Sequence, residues 1–294
     1  MGGRQQESGT YEATFRLLSH QFSVRTTSSS IATVVERTFG AFRVDAAPGI
    51  PAYTLTEDLA PDPPRFRVGL DGSDVLDTEA PGRAIDFFVW DVMRAVTDRC
   101  TDLLLLHAGV VANDAGAILL PATSGSGKTT LVAGLVDAGF AYLSDEVAAI
   151  DPATLVVRGF PVALSVKHGS FAVLSHLLPD LPSSVRRFLD GRLPLRPDDI
   201  RRDALGGPAP LRLVVSPRYE PGAVTRLRPC SRAQALADVA TNAFNLERFG
   251  RRGFDLLARL VEPAASYRLV VGDLDAAVAA INALAADAPS RAAS

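Results

Sequence analysis

The stretch Ala117-Ile118-Leu119-Leu120-Pro121-Ala122-Thr123-Ser124-Gly125-Ser126-Gly127-Lys128-Thr129-Thr130-Leu131 decides how this 294-residue chain is read. Ala117 to Leu120 is a short apolar run of the kind that forms a buried strand, and Pro121 ends it. The pattern G-x-x-x-x-G-K-[ST] follows, opened by Ala122 in place of the first glycine. Thr130 to Ala138 continues as a helix with Leu131, Leu135 and Val136 on one stripe, and Gly139 stands at the C-terminal cap position. Strand, loop and helix thus come in the order that a phosphate-binding loop requires.

Each part of the motif has a mechanical reason. Gly125 and Gly127 have no Cβ in the way of inward-turned N–H groups, so consecutive amides can face phosphate oxygens. The binding set predicted on this basis is Ala122, Thr123, Ser124, Gly125, Ser126, Gly127, Lys128, Thr129 and Thr130. Within it Lys128 reaches the outer phosphates, the Thr129 hydroxyl holds a magnesium ion, and Thr130 belongs to the positive end of the helix. The ligands expected are ATP and Mg2+. Only two of the thirty basic residues are lysine, Lys128 and Lys167. Arginine serves everywhere else, which singles out both lysines as places where a compact ammonium is needed.

A hydrophobic content of 47% over this length is ample for one large or two modest domains. No apolar stretch approaches the roughly twenty residues that span a bilayer, and Met1 to Ser8 is polar, so a cytoplasmic protein without membrane association is expected. Cys100 and Cys230 are too few for a disulfide framework or a self-contained zinc site. A net charge of -3 offers no global attraction for nucleic acid, and no nucleic-acid partner is expected. Homo-oligomerisation stays open.

Strand-like runs alternate with turns from Tyr11 to about Gly82, and a helix from Gly82 to Cys100 places Ile85, Phe88, Val92 and Val96 on one face. Residues 1–95 are therefore read as an N-terminal α+β module, 96–288 as an α/β catalytic domain and 289–294 as a disordered tail. In the second domain, strands are expected at Leu103 to Ala112, Phe140 to Ser144, Leu211 to Ser216 and Tyr267 to Val271. Helices are expected at Ser231 to Leu246 and Asp273 to Ala286, with Ser231 and Asp273 as N-caps. Between Val166 and Gly207, six arginines interleave with five aspartates, which reads as a solvated excursion or as a lid over the nucleotide.

Asp145-Glu146 closes the strand after the loop helix, 17 positions beyond Lys128, and so belongs beside the phosphates at the carboxyl edge of the sheet. Adjacent acids at a strand end diverge, so one can approach an acceptor and the other the metal. Asp145 is assigned as general base towards an incoming hydroxyl and Glu146 as the metal-side group, with the exchange of roles open and Asp145 counted among the metal candidates. Arg158 and Lys167 follow the next strand and can neutralise charge on a transferring phosphoryl group, although Arg158 reads equally as a surface cation.

His107-Ala108-Gly109-Val110-Val111, Ser124-Gly125-Ser126-Gly127-Lys128-Thr129-Thr130 and Leu143-Ser144-Asp145-Glu146-Val147 together resemble the catalytic domain of the HPr kinase/phosphorylase family, in its stand-alone serine-kinase form. The resemblance covers roughly residues 100 to 170 well. It implies a P-loop kinase core of HPr kinase type behind the small α+β module, with His107 in the site and Asp145 acting on a serine hydroxyl of a protein or peptide. Two departures matter: Glu146 stands where the bifunctional enzymes have aspartate, and their Glu-Ile-Arg-Gly-Leu-Gly signature is here Val156-Val157-Arg158-Gly159-Phe160-Pro161. Without that glutamate, magnesium must rely on Thr129, Asp145 and Glu146, and reverse phosphorylase activity is not expected. The alternatives are a kinase for a small molecule and a nucleotide-binding regulatory protein that transfers nothing.

Overall fold

The computed structural model describes residues 9–123 and 125–287. Ser124 and the expected tail at 289–294 lie outside the described residues. The chain forms two compact units. One comprises the described residues up to Arg99 with Asp180–Arg192, the other Cys100–Pro179 with the described residues from Leu193 onward.

In the first unit β1 (Tyr11–Leu17) and β2 (His20–Thr26) form a hairpin whose alternate residues, among them Phe15, Leu17, Phe22 and Val24, are fully buried. α1 (Ser29–Phe39) begins where the Ser28 hydroxyl accepts the Ile31 N–H at 3.4 Å, and its buried stripe is Ile31, Val34, Val35 and Phe39. β3 (Arg43–Val44), β4 (Ala52–Asp58), β5 (Arg65–Leu70) and β6 (Ser73–Thr78) complete a sheet of order β3-β1-β2-β4-β5-β6. β2 and β4 run parallel, and the other neighbours antiparallel. α2 (Pro81–Arg99) buries Ile85, Phe88, Val92 and Val96, the face expected from the sequence. Phe88 meets Phe39 and Tyr53 edge-on at 5.8 and 5.1 Å between ring centroids. The whole helix to Arg99 therefore groups with this unit, four residues beyond the boundary expected at 95, because its apolar face completes an aromatic core.

The second unit starts with β7 (Leu104–Asn113) and β8 (Gly116–Pro121), an antiparallel hairpin. α3 (Lys128–Asp137), β9 (Ala141–Ser144), β10 (Val147–Ile150), β11 (Val156–Arg158) and β12 (Leu164–Lys167) follow. α4 (Ser183–Arg186) lies in the segment that belongs to the first unit. After it come β13 (Arg192–Leu195), α5 (Pro197–Ile200), β14 (Ala209–Tyr219), β15 (Arg226–Pro229), α6 (Arg232–Thr241), α7 (Arg251–Val261), β16 (Ala265–Val271) and α8 (Leu274–Asp287). The main sheet has the order β11-β10-β7-β8-β14-β16-β15, with β9 also on β7 and β11 reaching back to β14. β8, β14 and β16 run parallel, and β12 pairs separately with β13.

Side-chain alternation divides the core between the two faces of this sheet. Val111, Ile118, Leu120, Leu213 and Val215 pack with α3 and α8, whereas Val110, Leu119, Val214 and Leu257 pack on the side of α6 and α7. The two layers of helices explain why β7 and β8 read as continuous apolar runs rather than alternating ones. Both expected N-caps form: Gln234 N–H donates to Ser231 Oγ at 3.2 Å and Ala276 N–H to Asp273 Oδ1 at 2.9 Å. The helix expected from Ser231 to Leu246 instead stops at Thr241. The following residues dock on β7, where His107 N–H donates to the Asn242 carbonyl at 2.6 Å and Phe244 N–H to the Leu105 carbonyl at 2.9 Å. α7 was not anticipated.

The arginine-rich stretch divides likewise. Arg186 pairs with Asp180 and Arg187 with Glu57 inside the first unit. In the second, Arg196 pairs with Asp199, and Arg201 donates to the carbonyls of Gly139 and Phe140 just past the end of α3. These four arginines are thus engaged locally rather than spread over a lid. Among the described residues no helix is long and apolar enough to cross a membrane.

Candidate functional site

Strand register builds the site. Along β7, Ala108 faces Pro121 at the end of β8, while Val110 faces Ser144 at the end of β9. Pairing on the β9 side resumes at Val147, opposite His107. Asp145-Glu146 directly follows the end of β9, as expected from the sequence, and separates it from β10, which continues along β7 from Val147. The end of β8, which leads into the glycine loop, and the acid pair stand at one level of the sheet, with β7 between them.

Gly109 makes this approach possible. A Cβ there would lie 2.6 Å from Val132 Cγ2 and 3.3 Å from Lys128 Cγ, so a side chain at this position would push α3 off the strand. The loop itself turns through Gly125 and Gly127, at φ 88° and 84°. Gly127 ends it as the N-cap of α3 without a side-chain hydrogen bond, and Leu131 donates to the Gly127 carbonyl at 2.9 Å. The amides of Lys128, Thr129 and Thr130 precede the first intrahelical bond, as at any helix start, and form the positive end of α3. Ala122 is buried, Thr123 accepts the Ser126 N–H at 3.3 Å, and the buried Ser126 Oγ has no hydrogen-bond partner.

Lys128 and Asp145 meet in the interior. Lys128 Nζ donates to the Asp145 backbone carbonyl and lies 3.7 Å from its Oδ1, while Thr129 Oγ1 donates to Oδ2 at 2.7 Å. Oδ1 is buried without a hydrogen-bond partner. With the residue 1% exposed, burial pushes the Asp145 carboxyl up to about 6; Lys128 and the Thr129 bond pull against burial, and the neighbouring Glu146 charge adds to it. Hard oxygen donors here fit Mg2+, which retains waters and shares phosphate oxygens, so one hydroxyl and one carboxylate are enough protein ligands. Among the described residues, no cluster of three or more His, Cys, Asp or Glu could hold a metal unaided.

Glu146 points the other way, with its side chain 39% exposed beside His107. His107 Nδ1 lies 3.1 Å from the Glu146 carbonyl, which can only accept, so Nδ1 carries the proton in this contact. Burial, and then the Lys128 charge, hold His107 below the usual histidine range and favour the neutral ring. Phe244 packs edge-on against it at 5.6 Å.

The remaining expected residues are placed unequally. Thr130 Oγ1 and Ser170 Oγ are 2.6 Å apart, which ties the first turn of α3 to the segment after β12. Lys167 ends β12, three residues before Ser170. Arg158 is engaged elsewhere: its guanidinium binds Asp151 across the β10–β11 turn, and the structure does not bring it to the loop. Sequence reasoning missed Asn245, a buried side chain that accepts from Leu105 N–H at 2.9 Å, donates to the Leu103 carbonyl at 2.9 Å, and so pins the strand leading to His107. A polar residue more than 130 positions from its partners leaves no periodic signal. Tyr219, whose N–H donates to the Ser126 carbonyl at 3.0 Å, was missed as well, because a partner so far away in sequence leaves no local signal.

No family model and no curated protein matches the chain. Among solved structures, the chain is similar to the Hpr(Ser) kinase/phosphatase from Coxiella burnetii at 11% identity and a TM-score of 0.27, over 61% of this chain and 96% of that one. A likeness of that degree leaves function to be argued from the site itself.

Proposed function

We propose that the chain is an ATP- and Mg2+-dependent phosphotransferase that moves the γ-phosphoryl group to a hydroxyl, with a serine of a protein or peptide as acceptor. The observation that carries this reading is the buried contact of Thr129 with Asp145 beside Lys128, at the start of a helix that follows a glycine loop. In this reading the loop amides and Lys128 hold the phosphates, and Thr129 and Asp145 hold the metal. Bound Mg2+ supplies charge neutralisation on the phosphate oxygens.

Glu146 takes the acceptor's proton. In this reading Asp145 is engaged by Thr129, Lys128 and the metal, whereas Glu146 stands partly exposed at the same break in the strand and is open to an incoming hydroxyl. His107 contributes by holding the Glu146 main chain through Nδ1–H. This exchanges the roles expected from sequence, and the engagement of Asp145 is the reason. The serine acceptor is supported by the resemblance of the three motif segments alone.

The test is transfer of labelled γ-phosphate to serine peptides and to proteins of a lysate, read by mass spectrometry. Glu146→Gln is expected to remove transfer while leaving ATP affinity and the Mg2+ requirement intact, and Asp145→Asn to raise the Mg2+ needed. Full activity in Glu146→Gln would take the base role away from it. ATP binding by the wild type with no phosphorylated product would favour a regulatory nucleotide-binding protein.

A further inference from the structure

The proposed site uses the loop on the side facing β7 and β9, and its other flank is equally built. β14 runs parallel beside β8 with Val214 opposite Leu119, so its last residues pass the end of β8 and lie along the loop. Tyr219 ends that strand. Its N–H is bound to the Ser126 carbonyl, and a Cβ on Gly127 would lie 3.1 Å from the Tyr219 Cβ and 3.8 Å from the first atom of its ring. Even so, Tyr219 is 50% exposed: a large aromatic side chain rests on the backbone of the glycine turn with much of its surface open to solvent.

The segment after Tyr219 is fastened at both ends. Glu220 N–H donates to the Val271 carbonyl at 3.0 Å, and Ala223 N–H to the Glu220 carbonyl at 3.1 Å. Thr225 Oγ1 accepts the N–H groups of Gly272 and Asp273 at 3.1 and 3.0 Å. Gly272 permits this closeness, since a Cβ there would fall 1.7 Å from the Ala223 carbonyl oxygen. Val224, in the same short loop, is 74% exposed. A half-exposed aromatic side chain on a backbone held this firmly is preorganised for a flat ligand.

Lys128 and Thr129 meet Asp145 on the β9 side of the loop, and Tyr219 stands on its opposite, β14 side. We propose that the Tyr219 ring is the platform on which the nucleobase of the bound nucleoside triphosphate stacks. The proposal rests on the phosphate-binding reading of the loop and adds the group that recognises the other end of the ligand. Stacking uses the π-face that every base presents and reads no base edge, so adenine and guanine nucleotides are held about equally by this contact.

The experiment is calorimetric titration of the full chain with Mg2+ and either ATP or inorganic tripolyphosphate, which has the phosphates and no base. Wild type is expected to bind ATP about 5- to 150-fold more tightly than tripolyphosphate, the range that stacking of one base on an aromatic side chain supplies. Tyr219→Leu is expected to erase that difference with tripolyphosphate affinity unchanged, which also shows the loop to be folded in the variant. Tyr219→Phe keeps the difference. Equal weakening of both ligands by Tyr219→Leu would make Tyr219 a prop for the loop and overturn the proposal, as would undiminished ATP binding. A wild type that binds neither ligand would remove the phosphate loop itself, and the platform with it.

Discussion

Each unit buries an aspartate beside a cation and a histidine, and the two sites differ in one respect. In the first unit Asp91 accepts the Tyr53 hydroxyl at 2.7 Å on one oxygen and Arg94 at 2.7 Å on the other. Burial pushes that carboxyl up, but the Tyr53 and Arg94 bonds outweigh it and hold Asp91 below the usual carboxylate range. In the second unit Asp145 accepts Thr129 on one oxygen, its other oxygen has no hydrogen-bond partner, and its carboxyl sits well above the usual range. Nearby histidines follow suit. His20 is driven down to about 4 by burial and then by Arg99, and accepts an N–H of Arg99 at 3.2 Å, while His107 holds the turn that carries Glu146. A buried carboxylate with both oxygens hydrogen-bonded secures a core, whereas one whose second oxygen has only the ion-pair contact with Lys128 has hydrogen-bonding capacity left for a ligand.

The sharpest way to break that contrast is to replace both acids by their amides. Asp145→Asn keeps an acceptor for Thr129 but loses the charge that the proposed function sets beside the metal and phosphates, and transfer is expected to fall about 10²–10³-fold with the melting temperature at neutral pH unchanged or raised. Asp91→Asn is expected to leave transfer unchanged and to weaken the fold by about 1–3 kcal/mol, since Arg94 loses a charged partner. Equal loss of stability in the two variants, read by denaturant melts, would remove the distinction between them.

The next effect in size concerns what brings the second site together. Gly109→Ala inserts a methyl 2.6 Å from Val132 Cγ2, and Val132 is too stiff at χ1 to withdraw. A loss of about 1–3 kcal/mol is expected, accompanied by weaker ATP binding as Lys128 shifts with α3. Nucleotide affinity at the wild-type level in a folded Gly109→Ala chain would show that the close approach of helix and strand does not set the position of Lys128.

Much of the second site was legible because its signals are local. Gly125, Gly127, Lys128 and Thr129 are contiguous, their strand and helix are adjacent in sequence, and Asp145 is one helix and one strand further on. The burial that separates Asp145 from Glu146 was not legible, because it comes from α3 lying over Gly109, a contact between residues with no common period. The first unit shows the same limit more plainly. The apolar face of α2 is read directly from Ile85, Phe88, Val92 and Val96, yet Tyr53 reaches Asp91 across 38 positions, and Asp180–Arg192 joins this unit from deep within the sequence of the other. The early end of α6 at Thr241 is likewise tertiary: the helical pattern continues, but the edge of β7 takes the next residues as pairing partners.

The smallest expected effect is a pair of opposite pH dependences. Asp145 has an ordinary value of 3.8 and a folded value of about 6, so between these the folded chain keeps a proton that the unfolded chain has released. Its contribution is therefore most favourable below about pH 4 and is lost as pH rises towards 6, by about 1.4 kcal/mol per pH unit. Asp91 has the reverse sign. Held below its ordinary value, it contributes stability that is present above about pH 4 and is lost only as pH falls through its lower folded value. Melts of wild type, Asp145→Asn and Asp91→Asn from about pH 4.5 to about pH 7 separate the two, because each amide removes one titration. Wild type is expected to gain on Asp145→Asn as pH falls through this window, while its margin over Asp91→Asn stays constant. A flat difference for Asp145→Asn would mean that the carboxylate finds in solution the hydrogen-bond partner its Oδ1 lacks, and the spare capacity assigned to it would be gone.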